Sequence, residues 1–363
     1  MLAQSAARAG LRPISLDWFA DMDTAESSSR YCAVCEGDRF DVEKILSAAD
    51  RYAPGDGRTA LIYGGGFDGR SELLAKLTRG RTLWGNPPEL LRRVKAPADF
   101  FPLLDQLGIP YPETRESPPN ESHSRDVWLI KQGSSQGGIG VRFFMRSAAP
   151  CDPAPADRYF QRFIDAPPRS VLFLANGVDI ELIGFNTLQT SCHREGHPFL
   201  FAGAATDSCL APGPRAAVRH YALALTRALS LNGLNSLDFV IDGDTCRVLE
   251  LNPRPSATMA LYDIDYAAGL VASHIEACQG RLISRRIQSD ILRCFKILYS
   301  DRAVTIIPKG FDWPQWTADR PWPGSSIGRG QPVCSIGAEG SDLFDLNQQL
   351  FAREQVIRSA LML

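Results

Sequence analysis

The sequence lacks a long apolar run and a strong charge imbalance. No stretch of about 18 consecutive apolar residues occurs, so no transmembrane helix is expected. The formal net charge is only −2, whereas surfaces that bind nucleic acid or anionic membranes carry an excess of Lys and Arg. We therefore expect neither a nucleic acid nor a membrane as a partner, and the sequence carries no indication of oligomeric state.

A disulfide framework and an export signal are also missing. The nine cysteines are an odd count and are spread singly along the chain. The opening residues, MLAQSAARAGLRP, are too short and polar for the apolar region of a signal peptide. CAVC at 32–35 has redox-motif spacing, but it falls within a predicted strand. We therefore expect a cytoplasmic protein with buried, reduced thiols.

The chain has enough length and apolar content for two or three domains. It has 363 residues, of which 44% are hydrophobic and 22% charged. The first ninety residues alternate strand-like segments such as RPISLDWF and TALIYGG with helical ones, which predicts a small parallel α/β layer. From residue 127 strands dominate, interrupted by a long helix at about 214–231.

One loop suggests a phosphate site. Lys131 ends an apolar strand, and GSSQGGIG follows at 133–140 before the next strand. A loop of Gly and Ser exposes backbone N–H groups and lets a bulky anion approach the main chain. A phosphate clamp and a flexible hairpin with a solvated lysine both fit this stretch alone.

A second stretch suggests a metal site. SLDFVIDGDTCRVLELN, 236–252, reads as a β-hairpin with its turn at DGD. Glu250 and Asn252 lie two apart and share one face of the second strand, and Asp238 faces them from the first. Such an oxygen-rich set suits Mg²⁺. The alternative is a pair of solvated carboxylates, but both lie in apolar runs where an unpaired carboxylate is costly.

Arg254 follows directly, between Pro253 and Pro255. The prolines stiffen the backbone and aim the guanidinium, which is a natural bidentate partner for a phosphoryl group or a carboxylate. The alternative, a surface arginine in a loop, is weakened because the metal candidates are so close.

Taken together and in this order, these pieces resemble the ATP-grasp superfamily over roughly residues 85–285. The resemblance implies a mixed α/β and α+β chain with the ATP-grasp fold, in which two α+β subdomains clamp ATP. A small Rossmann-like parallel α/β domain would precede it, at 1–90. The ATP-grasp domain would cover 91–285, with a small nucleotide subdomain at about 125–176 and a large metal-binding subdomain at about 177–285. A C-terminal extension, 286–363, would pack on it; its GQPVCSIGAEG looks like the tail of biotin-carboxylase-type relatives.

The resemblance also implies roles for individual residues. ATP and Mg²⁺, or Mn²⁺, are the implied cofactors, with Arg254 and Lys131 as catalytic residues and QRFI, 161–164, as the hinge that pairs with adenine. The implied metal ligands are Asp238, Glu250 and Asn252. The implied nucleotide-binding residues are Lys95, Lys131, Ser134, Ser135, Gln136, Gly137, Gly138, Gln161, Arg162, Phe163 and Ile164.

Two hinge positions depart from the family pattern. Family members often carry acidic residues where this chain has Gln161 and Pro168. In the family, the acidic residue at the second of these positions binds the ribose hydroxyls. Asp165 is a candidate substitute for that second acid.

The activity that the resemblance implies is an ATP-dependent joining of a small-molecule carboxylate to an amine through an acyl-phosphate. More narrowly, FADMDT, IYGGGF and LNPRPSATM look like predicted carboligases of one-carbon metabolism, similar to tyramine–glutamate ligase of methanofuran and methylofuran biosynthesis. The alternatives are a biotin-carboxylase-like enzyme or phosphotransferase, and a non-catalytic nucleotide-binding module.

Three further motifs receive structural interpretations. GGGFDG at 64–69 fits G-x-G-x-x-G, but no acidic residue ends the next strand, so a substrate-facing turn is favoured over a dinucleotide site. CHREGH at 192–197 lacks four well-spaced zinc ligands and favours a polar loop. DMDT at 21–24 fits a substrate-binding turn and a helix cap equally well.

Overall fold

The structure is a computed structural model of the chain. It describes residues 1–36, 39–119, 126–145, 157–191, 196–283, 286–287 and 291–363. Most of the CHREGH motif and part of the polar loop before residue 126 therefore lie outside the described residues.

The N-terminal region contains parallel strands, as the sequence predicts. Strand β1 pairs in parallel with β2, and β5 pairs in parallel with β6, as two separate pairs and not one continuous sheet. The elements are α1 (Leu2–Arg8), β1 (Ile14–Asp17), α2 (Met22–Glu26), β2 (Arg30–Ala33), β3 (Cys35–Glu36), β4 (Arg39–Phe40), α3 (Val42–Tyr52), β5 (Ala60–Leu61), α4 (Ser71–Leu77) and β6 (Thr82–Leu83).

Two helices lead from this region to a small antiparallel sheet. Proline stands in the first turn of each, where its missing N–H costs nothing. They are α5 (Pro88–Lys95) and α6 (Pro97–Gln106), followed by β7 (Thr114–Arg115), β8 (Trp128–Gln132), β9 (Arg142–Phe143) and β10 (Arg158–Arg162). The strand order is β7-β10-β8-β9.

Most of the later strands build a second, larger sheet, and two short ones form a separate antiparallel pair. The order of the larger sheet is β15-β14-β11-β12-β13-β16-β20-β18. The elements are β11 (Arg169–Asn176), β12 (Ile180–Ser191), β13 (Leu200–Thr206), α7 (Pro212–Leu229), β14 (Asn232–Asp242), β15 (Thr245–Asn252), α8 (Gly269–Cys278), β16 (Leu292–Tyr299), β17 (Val304–Ile306), β18 (Thr317–Ala318), β19 (Ser326–Gly328), β20 (Pro332–Gly340) and α9 (Leu343–Leu361). Two short 3₁₀ turns, Ala257–Leu261 and Asp263–Asp265, precede α8.

The large sheet crosses two of the divisions predicted from the sequence. β11 precedes the predicted division near residue 176, and β16 and β20 follow the one near residue 285, yet all three pair in this sheet. Because the backbone hydrogen bonds run continuously from β15 to β18, the C-terminal strands extend the sheet edge.

The core lies on both faces of the large sheet. Along β11, Val171 and Phe173 pack with α6 and α7, while Leu172 and Leu174 pack on the α8 side. All four side chains are almost fully buried. Successive strand side chains point to opposite faces, so a strand covered on both sides is apolar throughout.

Two polar anchors fasten the N-terminal region to the large sheet and its helices. Ser5 of α1 donates a hydrogen bond to Asp263, 2.6 Å away, and Arg8 pairs with the same carboxylate. Asn86, which is fully buried after β6, exchanges hydrogen bonds with the backbone of Asn232 and donates another to the carbonyl of Pro253 at 3.0 Å.

Among the described residues, no helix is both long enough and apolar enough to span a bilayer.

We expect Phe173→Ala to lower the free energy of unfolding by about 3–5 kcal/mol, because it removes a fully buried ring and leaves a cavity between the sheet and two helices. Phe351→Ala on α9 is the control, since that ring is 66% exposed. Denaturant unfolding checks this, and equal losses for the two variants would contradict the assignment of the core.

Candidate active site

The hairpin predicted to hold a metal forms as expected. Asp238 on β14 lies directly opposite Glu250 on β15, and Ser236 lies opposite Asn252. The Asn252 amide donates to the Asp238 carboxylate across the pair, at 3.4 Å. The turn passes through Gly243, whose φ of +58° suits glycine. Two carboxylates and an amide oxygen therefore share one face at the edge of the large sheet.

The electrostatics of this face fit a bound cation. Withdrawal from water and the neighbouring Glu250 raise the pKa of Asp238 to about 7. Two carboxylates this close repel one another unless a proton or a cation lies between them. The ammonium of Lys95 already lies against Glu250 and Asn252, so the site accepts positive charge. This donor set fits Mg²⁺, which takes oxygen ligands.

Lys95 lies at the centre of this charge network. From the end of α5, its ammonium donates to the Asn252 side-chain oxygen at 2.9 Å and to Glu250, and it lies 3.4 Å from an Asp68 oxygen. Burial lowers the pKa of Lys95, but the Glu250 and Asp68 carboxylates outweigh burial and leave the pKa raised. Lys95 is therefore charged and touches the predicted metal ligands.

Lys131 has a different environment. Its ammonium donates to the Gln161 side-chain oxygen at 3.1 Å and lies 5.7 Å from the centre of the Tyr159 ring. Burial lowers its pKa, against the opposing effect of Glu250 and Asp238. A half-buried ammonium whose hydrogen-bond acceptor is neutral gains strongly when an anion arrives, which is what a phosphate site needs.

The glycine-rich loop covers these two lysines. Gly137 and Gly138 both have positive φ, and a Cβ on Gly138 would lie 1.8 Å from the carbonyl oxygen of Phe199. The carbonyl of Gly137 accepts from the backbone N–H of Phe201 at 2.9 Å. The loop is therefore seated on the start of β13, and only glycine fits at its contact point.

A cavity of about 140 Å³ separates this loop from the hairpin. Its apolar wall includes Phe100, Phe101, Tyr159, Leu188 and Leu249. The sequence-predicted residues that line it are Lys95, Lys131, Ser135, Gln136, Gly137, Gly138, Asp238 and Glu250. The structure thus brings both lysines, most of the loop and two metal-ligand candidates to one space.

The predicted hinge lies outside that lining. Gln161 is buried, and its side chain joins Lys131 to the Thr114 hydroxyl. The backbone N–H groups of Arg162 and Phe163 donate within the small sheet. Residues 161–164 do not line the cavity, whereas Pro168 does. Adenine pairing at 161–164 stays a prediction, and the amide at position 161 orients Lys131.

The sequence analysis missed Asp68. Its carboxylate forms a two-point contact with Arg254, at 2.7 and 3.3 Å, and faces Lys95. Burial raises the pKa of Asp68, but the Lys95 and Arg254 charges outweigh burial and hold the pKa below its usual range. The signal available in the sequence was an acidic residue in the turn GGGFDG, 64–69, which follows a strand. The partners of Asp68 could not be inferred, because they are far away in sequence.

The backbone beside Arg254 is fixed from the N-terminal region. The carbonyl of Pro253 accepts hydrogen bonds from the Tyr63 hydroxyl at 3.2 Å and from the Asn86 amide at 3.0 Å. The guanidinium of Arg254 also lies 3.3 Å from the side-chain oxygen of Asn252. The N-terminal region therefore shapes one wall of the site.

Two other motifs have structural roles. Asp21 caps α2 by accepting from the Thr24 N–H at 2.7 Å, and Asp23 pairs with Arg320. DMDT is thus a helix cap joined to the C-terminal region. Cys32 and Cys35 are free thiols.

Part of the chain matches a known protein family. Residues 99–258 match the family model of the ATP-grasp domain. The carbamoyl phosphate synthase large chain of Myxococcus xanthus is 23% identical over 253 residues, covering 65% of this chain. The chain spans only 23% of the length of that relative.

Solved structures share the fold. The biotin carboxylase domain of Hydrogenobacter thermophilus 2-oxoglutarate carboxylase, in complex with MgADP, ADP and bicarbonate, superimposes with a TM-score of 0.70 at 12% identity, over 94% of this chain and 83% of that one. N5-carboxyaminoimidazole ribonucleotide synthetase from Thermus thermophilus superimposes with a TM-score of 0.66 at 17% identity. The match covers 99% of this chain and 95% of that one. The predicted fold is confirmed.

We expect Gly138→Ala to weaken the binding of a non-hydrolysable ATP analogue by about tenfold, since the new Cβ would force the loop off Phe199 and strain a positive φ. Titration calorimetry checks this. Gly213→Ala is the control, because a Cβ there meets nothing within 4 Å. Unchanged affinity in Gly138→Ala would show that the loop does not hold the nucleotide.

Proposed function

Because residues 99–258 of this chain are an ATP-grasp domain, we propose that the protein is an ATP- and Mg²⁺-dependent ligase that joins a carboxylate to an amine through an acyl-phosphate. The observation that carries the proposal is the cavity where Lys95 and Lys131 meet Asp238 and Glu250 beneath a glycine-rich loop. A nucleoside-triphosphate site needs cationic side chains that bind phosphate and carboxylates that bind a metal ion.

The residues divide the work as follows. Asp238, Glu250 and Asn252 would hold Mg²⁺, which neutralises triphosphate charge when bound. Lys131 and the loop residues 135–138 would bind the β- and γ-phosphates, because both line the cavity. The loop also excludes water, which would otherwise hydrolyse an acyl-phosphate.

The reaction takes two displacements. A carboxylate oxygen of the substrate attacks the γ-phosphorus, the bond to the bridging oxygen breaks, and ADP leaves. The amine nitrogen then attacks the acyl carbon, phosphate leaves with the electrons of the C–O bond, and the nitrogen loses a proton. Arg254 is suited to hold the phosphoryl group throughout, because it is permanently charged and lies 3.3 Å from the side-chain oxygen of Asn252, a proposed metal ligand.

The finer proposal concerns the substrates. Glutamate as the carboxylate and an aromatic amine, in a methylofuran-type cofactor pathway of one-carbon metabolism, would fit the N-terminal and LNPRPSATM motifs. Biotin-carboxylase-like chemistry is the second candidate, because a biotin carboxylase domain shares the fold. A non-catalytic nucleotide-binding module is the third, and the intact set of carboxylates argues against it.

The test is Mg·ATP-dependent release of ADP and phosphate with L-glutamate and a panel of amines that includes tyramine and tyrosine. We expect release to require both substrates and to yield a product of their summed mass minus water. Replacing glutamate and amine by bicarbonate tests the carboxylase alternative. Tight ATP binding without ADP release under every mixture would contradict the ligase.

We expect Lys131→Met to reduce ADP release by about 100-fold or more, because it removes a cation that lines the proposed phosphate site. Lys76→Met, at an exposed lysine of α4, is the matched control and should behave as the wild type. Steady-state assays check this. Full activity in Lys131→Met would remove this lysine from the mechanism.

A further inference from the structure

Asp68 is the most completely buried carboxylate facing the site, and it comes from outside the ATP-grasp match. Its side chain is 1% exposed and lies between Arg254 and Lys95, two cations that arrive from separate segments of the chain. Removing a carboxylate from water is strongly unfavourable unless charges and hydrogen bonds compensate. Both compensating charges here belong to the site, so the contact does more than join two surfaces.

The contact fixes two long side chains. A free Arg or Lys side chain loses rotamer entropy when it is ordered. The two-point contact of Asp68 with Arg254 sets the plane of the guanidinium as well as its position. Arg254 is thus ordered before any substrate arrives.

The turn that carries Asp68 also receives the phosphate loop. The side-chain oxygen of Gln136 accepts from the backbone N–H of Gly66, and a Cβ on Gly69 would lie 2.5 Å from the Cβ of Ser134. The loop and the turn therefore meet with no room for extra atoms. The turn at 64–69 therefore contacts both the glycine-rich loop and Arg254, which lies beside the metal-ligand candidates.

We propose that Asp68 is a positioning residue that orders Arg254, against Lys95, for contact with the transferring phosphoryl group. The inference rests on the proposed function, since it assigns that contact to Arg254. It makes the turn at 64–69 part of the reactive centre, although this turn lies outside the matched domain.

The test uses ligands that need no knowledge of the carboxylate or amine. Beryllium fluoride bound beside MgADP mimics the transferring phosphoryl group. Calorimetry gives the affinity for MgADP with and without beryllium fluoride, in the wild type, Asp68→Asn and Asp56→Asn. Asp56 is the control because it is an exposed carboxylate of the same region.

We expect all three proteins to bind MgADP with affinities within about threefold of one another. In Asp68→Asn alone, the increase in affinity that beryllium fluoride produces should be about tenfold smaller than in the wild type. In an Arg254→Ala background, Asp68→Asn should have little further effect, because the two act as a unit. An unchanged gain in Asp68→Asn, or fully additive losses, would overturn the proposal. The proposal would also be overturned if Asp68→Asn weakened MgADP binding equally with and without beryllium fluoride and also lowered the melting temperature. That result would mark a merely structural ion pair.

Ligase assays separate this from the proposed function. A wild type that gains affinity from beryllium fluoride but forms no amide with any substrate pair would contradict the ligase and leave the role of Asp68 standing. If the wild type forms the amide but Asp68→Asn keeps the full increase in affinity from beryllium fluoride, the ligase stands and the role of Asp68 is contradicted.

Discussion

The site depends on one shared ammonium. Lys95 lies against Glu250 and Asn252 of the hairpin and against Asp68 of the N-terminal turn. Three segments far apart in sequence thus meet at a single positive charge. Without it, the carboxylates of Glu250 and Asp68 and the amide oxygen of Asn252 would face one another with no cation between them, and like charges in a poorly hydrated space repel strongly. The same compensation bears on Arg254, because the Asp68 carboxylate lies between Lys95 and that guanidinium.

Local patterns were enough to predict the parts of the site that lie within one or two elements. The DGD turn and the apolar runs beside it predict the hairpin, and the two-residue strand period places Glu250 and Asn252 on one face. The glycines at 137 and 138 both have positive φ, a conformation that a glycine-rich loop allows. These features depend on neighbours in the chain, so a single sequence shows them.

The features that the sequence analysis missed are tertiary. No local rule joins Asp68 to Arg254, because the pair forms only after the N-terminal turn has folded against the end of β15. The inward side chain of Gln161 was missed for the same reason, since its partners are Thr114 and Lys131 on two other strands of the small sheet. The large sheet likewise includes β16 and β20 because edge strands pair by backbone contacts that side-chain patterns do not specify.

The two polar anchors determine which part of the molecule can move. Ser5 and Arg8 hold the N-terminal region at Asp263, and Asn86 holds it at Asn232 and Pro253. A segment tethered at both ends by buried bonds cannot swing as a rigid body without breaking them. The N-terminal region therefore stays in place and gives the site a fixed wall.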